Sequence, residues 1–282
     1  MLAPPYMPEL PEVETTRRGI ATLMPGQTLQ RFIAHETRMR WPVPADLEAI
    51  ISGHPVLDCK RRGKYLLIEF AHGTQLIHLG MSGSLRRVPA DEPRRRHDHA
   101  EWQFEHARFL LHDPRRFGAI LWHPADAGPV ESTHPLLQNL GIEPFDPAFT
   151  GEWLHQRLRG RKLAVKQALL SGTLVVGVGN IYASEALFKA RINPQAAAGR
   201  LSVMRCTRLV SAIRETLTQA LESGGSTLRD YLNATGEPGA YFDLHAAVYG
   251  KQGAPCPSCS TPIRRIVQGQ RATYYCPCCQ QR

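Results

Sequence analysis

The sequence predicts an α+β protein: an antiparallel β-sandwich or barrel with a leading helix, then a helical region closed by a cysteine-bearing hairpin. Three observations carry this. In the first half, short β-type runs fall near residues 28–34, 55–61, 64–70, 74–79, 84–88, 100–104, 107–112 and 119–123. Glycine and charged turns punctuate these runs, as in an antiparallel sandwich or barrel. In the second half, the apolar spacing lengthens to a helical period over 147–158, 162–170, 180–190, 202–223 and 227–233. Near the C-terminus, Cys256-Pro-Ser-Cys259 and Cys276-Pro-Cys-Cys279 are separated by sixteen residues.

The elements follow in order. A Pro-rich start leads into helix formers from 12 to 23. Residues 91–97, Asp-Glu-Pro-Arg-Arg-Arg-His, are expected to form a mobile charged loop. Between the helical stretches at 162–170 and 180–190 lies Gly172-Thr-Leu-Val-Val-Gly-Val-Gly-Asn180, too glycine-rich for helix. It reads as the turn of a helix–two-turn–helix, whose backbone N–H groups and following helix N-terminus would face an anion such as a phosphate. A tight turn needing positive φ explains the same glycines. Residues 222–253 contain Ser-Gly-Gly-Ser226 and Thr-Gly-Glu-Pro-Gly239 and read as a flexible loop before the hairpin.

Two Cys-x-x-Cys pairs at this separation suit one tetrahedral zinc ion, a pair on each strand of a β-hairpin. Four thiolates leave no open position for water, so the predicted zinc is structural. Cys276 and Cys278 would also make a Cys-x-Cys pair, but the gap to Cys279 matches the first pair better, so Cys278 is expected to be a spare, partly exposed thiol. Cys59 and Cys206 read as packed core thiols. Arg264, Arg265 and Arg271 lie between the pairs.

The 282 residues suit two domains, and 43% hydrophobic with 21% charged residues excludes a disordered chain. The net charge of +9 favours polyanionic partners by counterion release, although a merely soluble basic protein has the same balance. Only Lys60, Lys64, Lys162, Lys166, Lys189 and Lys251 are lysines among 34 basic residues. No run reaches bilayer-spanning length, and Met1–Tyr6 has no apolar signal segment. A reducing cytoplasmic location is expected, in keeping with zinc thiolates.

Met7-Pro-Glu-Leu-Pro-Glu-Val-Glu14 closely resembles the start of the bacterial formamidopyrimidine-DNA glycosylases. The resemblance continues through Gly63-Lys-Tyr-Leu-Leu67, His78-Leu-Gly-Met-Ser-Gly-Ser-Leu85, His97-Asp-His99 and Asp113-Pro-Arg-Arg-Phe-Gly118. It extends to Val175-Val-Gly-Val-Gly-Asn-Ile-Tyr-Ala-Ser-Glu185, Val248-Tyr-Gly250 and Gln270-Arg-Ala-Thr-Tyr-Tyr-Cys276. It implies a catalytic β-sandwich over 7–140, a helix–two-turn–helix DNA-binding domain over 141–246 and a zinc finger over 247–282. It also implies a nucleoid-associated repair enzyme that acts on double-stranded DNA with oxidised bases, and a monomer is expected because the sequence shows no heptad or extended apolar face. Such enzymes remove 8-oxoguanine and formamidopyrimidines, then nick the strand by β,δ-elimination.

Residue by residue, the resemblance makes Pro8 the Schiff-base nucleophile and Glu9 the general acid. Lys64 would serve β-elimination and DNA contact, and Arg271 would be the δ-elimination proton donor and a phosphate ligand. His97, Arg115, Arg161, Lys166 and Asn180 would bind the DNA backbone. Met81, Arg115 and Phe117 would fill the gap left by the extruded base, and Glu12 would line the lesion pocket. The loop from about 227 to 241 would cover the flipped base. An internal proline has no nucleophilic amine, so residues 1–6 are expected to be a non-native or mis-assigned extension, with Met7 the working start. Arg161 stands where the family commonly has lysine, which preserves the cation. The rival readings are an endonuclease VIII-like enzyme for oxidised pyrimidines, a non-catalytic damage-binding protein that keeps the extension, and a plain zinc-ribbon nucleic-acid adaptor.

Overall fold

The structure is a computed structural model that describes residues 8–225 and 239–281. The expected extension, 1–6, lies outside the described residues. So do the expected helix at 227–233 and most of the lesion-covering loop. The chain divides into two compact units, one built on Pro5–Asn139 with Ser223–Ala240, the other on Leu140–Glu222 with Tyr241–Arg282.

The first unit begins with helix α1 (Leu10–Ala21), which has Pro11 in its first turn, where a missing N–H costs nothing. Strand β1 (Arg31–Ala34) and the short helix α2 (Leu47–Ile51) follow. Next come β2 (Asp58–Arg62), β3 (Tyr65–Phe70), β4 (Gly73–His78), β5 (Ser84–Val88), β6 (Asp98–Gln103), β7 (Arg108–His112) and β8 (Ala119–Pro124). A further short helix, α3 (Val130–Thr133), closes the unit. The strands form two four-stranded antiparallel sheets, ordered β1-β6-β7-β5 and β2-β3-β4-β8. The eight strands therefore match the sequence expectation, with ends displaced by up to about three residues.

Buried side chains from both sheets and from α1 make one core, including Val13, Ile20, Phe32, Leu66, Ile77, Leu85, Trp102 and Leu111. Within it the Trp102 indole N–H donates to Gln75 Oε1 at 2.8 Å, which satisfies a buried polar group from each sheet. The charged loop at 91–97 is anchored at both ends. Glu92 takes Arg86 at 2.7 Å, and the Arg95 N–H donates to buried Asp98 at 2.8 Å.

In the second unit α4 (Gly151–Leu158) is capped by Thr150, whose hydroxyl accepts the Trp153 N–H. Helices α5 (Val165–Leu170) and α6 (Asn180–Lys189) flank the glycine-rich turn, where Gly172 and Gly177 have φ of 70° and 79°. Both readings of those glycines meet here, since the positive φ angles make the turn that places the α6 N-terminus. Helix α7 (Val203–Glu222) buries Cys206, Leu209, Val210, Ile213, Leu217 and Ala220, a helical stripe packed on α4 and α6. The one-turn helix α8 (Tyr241–His245) leads to strands β9 (Arg264–Gln268) and β10 (Arg271–Tyr275). Among the described residues no helix is long and apolar enough to cross a membrane.

Candidate active site and zinc centre

The start of α1 carries the first cluster. Glu9 is its N-cap and closes a reciprocal capping box with Glu12, whose carboxylate accepts the Glu9 N–H at 2.8 Å. Pro8, Glu9 and Glu12 are all buried. Glu12 lies against Gly225, which has φ of 91°, a conformation that disfavours a side chain, and an added Cβ would stand a tight 3.1 Å from the Glu12 Oε1. The expected pocket residue Glu12 is thus also the group that fixes the backbone of the expected acid.

Lys64 sits in the two-residue turn between β2 and β3, where Arg62 pairs with Tyr65. Gly63 has φ of 57° while Lys64 keeps negative φ, the pattern of a type II′ hairpin. The turn is tied to α1 by Arg61, which donates to Glu14 Oε2 at 3.1 Å and to the Gly63 carbonyl at 2.9 Å. Behind it, His78 pairs with Tyr65 on β4 and accepts the Gly80 N–H on Nδ1. Burial, with the charges of Lys64 and Arg40, pushes the His78 imidazole down to about 4, so it stands neutral beside the lysine.

Met81 is half-buried, whereas Arg115 and Phe117 stand out from the β7–β8 loop. Phe117 is 42% exposed, and the Arg115 guanidinium lies 4.7 Å over its ring. An aromatic displayed this way suits insertion into a base stack better than core packing. His97 is half-buried at the mouth of β6.

In the second unit three expected phosphate ligands part company. Arg161 is exposed. Lys166 is not: its side chain is fully buried, and its ammonium donates to the Ala272 carbonyl at 3.2 Å and the Thr273 hydroxyl at 2.9 Å. A phosphate contact by Lys166 would have to draw its ammonium out of this enclosure by β10. Asn180, at the α6 N-terminus, donates its amide hydrogens to Tyr249 Oη at 3.1 Å and to the same Ala272 carbonyl at 3.0 Å. A phosphate contact through that NH2 group would have to displace one of these bonds. Both side chains thereby hold the residue next to Arg271, which is exposed at the start of β10.

Lys166→Met should lower the melting temperature by leaving two buried acceptors unmet, at about 1–3 kcal/mol. Arg161→Ala should leave melting unchanged and reduce the salt slope of DNA binding by about one charge. Thermal scans and salt titrations of both variants check the pair.

Strands β9 and β10 are joined by Gly269 and Gln270, with φ of 53° and 63°, a type I′ turn. The cysteines lie on the turns flanking the strands, not on the strands themselves as expected. Cys256 Sγ and Cys279 Sγ are 3.9 Å apart, Cys259 Sγ and Cys276 Sγ 3.5 Å, and all four fall within 4.8 Å of one another. Zn–S bonds of about 2.3 Å in a tetrahedron require S–S separations of about 3.8 Å, so the four thiols fit. The N–H groups of Ser258 and Cys279 point at Cys256 and Cys276 sulfurs, each at 3.4 Å. The Thr261 side chain, ahead of its N–H, holds the Cys259 thiol down to about 6. Cys278 is exposed and outside the cluster. Cys59 and Cys206 are buried, and desolvation pushes them up to about 12 and about 11.

Comparison with known proteins decides the family. Residues 7–120 match the formamidopyrimidine-DNA glycosylase N-terminal domain, 140–231 the corresponding H2TH domain, and 253–282 the zinc finger found in FPG and IleRS. The chain belongs to the formamidopyrimidine-DNA glycosylase family. A formamidopyrimidine-DNA glycosylase of Bordetella pertussis is 66% identical over 276 residues, covering 98% of this chain and 100% of the relative. That of Burkholderia vietnamiensis is 56% identical over 277 residues, with the same coverage. A Lactococcus lactis Fpg variant bound to DNA containing Fapy-dG superposes with a TM-score of 0.88 at 34% identity, covering 98% of this chain and all of that one. MutM (Fpg) from Thermus thermophilus gives 0.86 at 40%, covering 97% and 98%.

Within the family frame, the four cysteines hold one structural zinc ion. The sequence did not single out the Arg61–Glu14 tie, Tyr249 or Gly225. Glu14, Gly225 and Tyr249 lie within the marked stretches Met7–Glu14, Ser-Gly-Gly-Ser226 and Val248-Tyr-Gly250, but Arg61 does not.

Proposed function

We propose that this chain is a DNA glycosylase of base excision repair that removes oxidised purines and then cleaves the strand as an abasic-site lyase. The observation that carries the reading is the start of α1, where Pro8 and Glu9 stand at a buried capping box in a chain of this family. Its named relatives are formamidopyrimidine-DNA glycosylases. Solved neighbours hold DNA with Fapy-dG, an abasic site or carbocyclic 8-oxo-G.

With Met7 removed, the secondary amine of Pro8 attacks C1′ of the extruded nucleotide, and the base departs with the glycosidic electron pair. Glu9 supplies the proton for base loss and sugar opening, and the product is an iminium between Pro8 and the opened sugar. Lys64, on its hairpin turn, serves β-elimination of the 3′ phosphate. Arg271 holds the lesion phosphate and donates a proton in δ-elimination. Glu12 holds Glu9 in place beneath the lesion pocket. His97, Arg115 and Arg161 bind the backbone, while Met81, Arg115 and Phe117 occupy the gap in the duplex. Asn180 and Lys166 act through β10 by fixing the residue after Arg271. The zinc ion, when bound, supplies no reaction step and only ties the ends of the hairpin.

The working start at Met7 is supported by the family match beginning there and by relatives aligned over their whole length on 276 residues. We also place the protein in the cytoplasm, acting on DNA as a monomer. Its net charge of +9 and thiolate metal site suit that setting.

Single-turnover excision tests the reading. Cleavage of a duplex with 8-oxoguanine opposite cytosine should exceed cleavage of one with thymine glycol, and Glu9→Gln should slow base loss by about 10²-fold or more while leaving binding at fixed salt. Preference for thymine glycol would move the enzyme to the pyrimidine class. A Lactococcus lactis Fpg has been solved with DNA containing an oxidised pyrimidine, so both substrates belong in the comparison.

A further inference from the structure

Asp113, the first residue of the β7–β8 loop, is wholly buried. Its Oδ2 accepts the Gly118 N–H at 2.7 Å, and its Oδ1 accepts the Ser82 hydroxyl at 3.0 Å and the Arg115 N–H at 3.3 Å. Its backbone is equally engaged. The Asp113 N–H donates to the His97 carbonyl at 2.9 Å, and its own carbonyl accepts the Arg116 N–H at 3.1 Å. That carbonyl also accepts from His99 Nε2 at 2.9 Å, which assigns the proton to Nε2 because a carbonyl cannot donate.

One residue therefore joins three segments. The first carries Met81 beside Ser82, the second carries His97, and the third carries Arg115 and Phe117. The segments are also pressed together. Gly80 has φ of 67°, and a Cβ there would collide with the Phe117 carbonyl and the Gly118 nitrogen. Arg116, between the two exposed side chains, is held at φ of 55°, a conformation uncommon for a side chain of its size. Charge-assisted bonds from a buried carboxylate are strong enough to hold such a loop in one shape.

We propose that Asp113 is a positioning residue for base extrusion. Its carboxylate locks the Met81 loop and the Arg115–Phe117 loop into one rigid wedge before DNA arrives. The proposal rests on the reading of Met81, Arg115 and Phe117 as gap fillers. Without the lock, the two loops would have to be ordered during extrusion, and that ordering would slow the step.

The test is single-turnover excision by the zinc-loaded full chain on two duplexes. One has 8-oxoguanine opposite cytosine; in the other the opposing position is abasic, so the lesion is already unpaired and cheaper to extrude. Asp113→Asn, which keeps the shape but cannot accept all three bonds, should slow the paired substrate on the order of 10²-fold. The unpaired substrate should lose much less. Equal losses on both substrates, or none, would overturn the proposal. Phe117→Ala run alongside separates the two readings. If it leaves the paired substrate unaffected, the gap-filling assignment falls and takes this inference with it; if it slows that substrate and Asp113→Asn does not, only the inference falls. Should Asp113→Asn fail to fold, Ser82→Ala removes one bond of the lock and should show the same selective loss, several-fold in size. Absence of that selectivity in Ser82→Ala counts equally against the lock.

Discussion

A chain that begins at Met7 should form a borohydride-stable cross-link to a duplex carrying 8-oxoguanine opposite cytosine, with Pro8 as the cross-linked residue. A chain that retains Met1–Tyr6 ahead of Met7 should form none. The difference is all or nothing because of the nitrogen. At an N-terminus, proline offers a secondary amine that condenses with the sugar to an iminium, which borohydride reduces. Inside a chain, the same nitrogen is a tertiary amide whose lone pair is delocalised into the carbonyl. No environment supplied by α1 restores that lone pair.

Glu9→Gln in the shorter chain is the companion measurement. It keeps the N-cap position and most of its hydrogen bonding but cannot donate an acidic proton, so excision should fall by about 10²–10⁴. Binding at fixed salt should be retained. A cross-link from the longer chain, with its terminus confirmed intact by mass spectrometry, would remove Pro8 as the nucleophile. Full activity of Glu9→Gln would remove the acid.

The parts of the fold most legible in the sequence are those with local causes. Residues 84–88 are bounded by glycine on one side and by Pro89 on the other, and they form β5 over the same span. The run expected over 64–70 forms β3 one residue later, because Gly63, at positive φ, makes with Lys64 the turn of a two-residue hairpin. Helix α2 escaped because five residues are too few to show a period, and what holds it is the burial of Leu47 and Ile51 in the sandwich core. The site was legible in the same uneven way. The cysteine spacing identified the metal ligands directly, but which turns would carry them depended on pairing between β9 and β10.

Lys166 shows the limit of local reading. On α5 it looks like any cation on a basic chain, and its burial depends on β10, which lies more than a hundred residues later. Asp113 is similar. Its motif was visible, yet the three segments its carboxylate and backbone join are distant in sequence and meet only through the sheets.

Zinc removal should disable DNA binding and strand cleavage together, and it should do so without unfolding the helices. A two-stranded hairpin of five residue pairs is marginal in water. Apparent binding energies of about 10–16 kcal/mol for four-ligand zinc modules are therefore large enough to decide whether this one stays formed. The metal does not act alone. Gln280 donates to the Ile192 carbonyl at 2.9 Å and accepts the Cys276 N–H at 2.8 Å, while Asn193 donates to the Gln280 carbonyl at 3.0 Å. These bonds anchor the C-terminal cysteine turn to the loop after α6, and the Lys166 and Asn180 bonds anchor β10. Losing zinc should free the Cys256–Cys259 turn first, and β9 with it, which would leave Arg271 on a strand without its hairpin partner.

Cys279→Ser, or chelation of the native chain, should abolish measurable affinity for the lesion duplex at fixed salt, with little change in far-ultraviolet circular dichroism from the helices. Cys278→Ser, one residue away but exposed and outside the thiol cluster, should keep zinc, affinity and cleavage. The two neighbouring substitutions give opposite results only if the Cys256–Cys259 and Cys276–Cys279 pairs are the ligands. Loss of zinc in Cys278→Ser would reassign the site, and zinc-free protein that binds as well as before would mean the hairpin is no part of the DNA-binding surface.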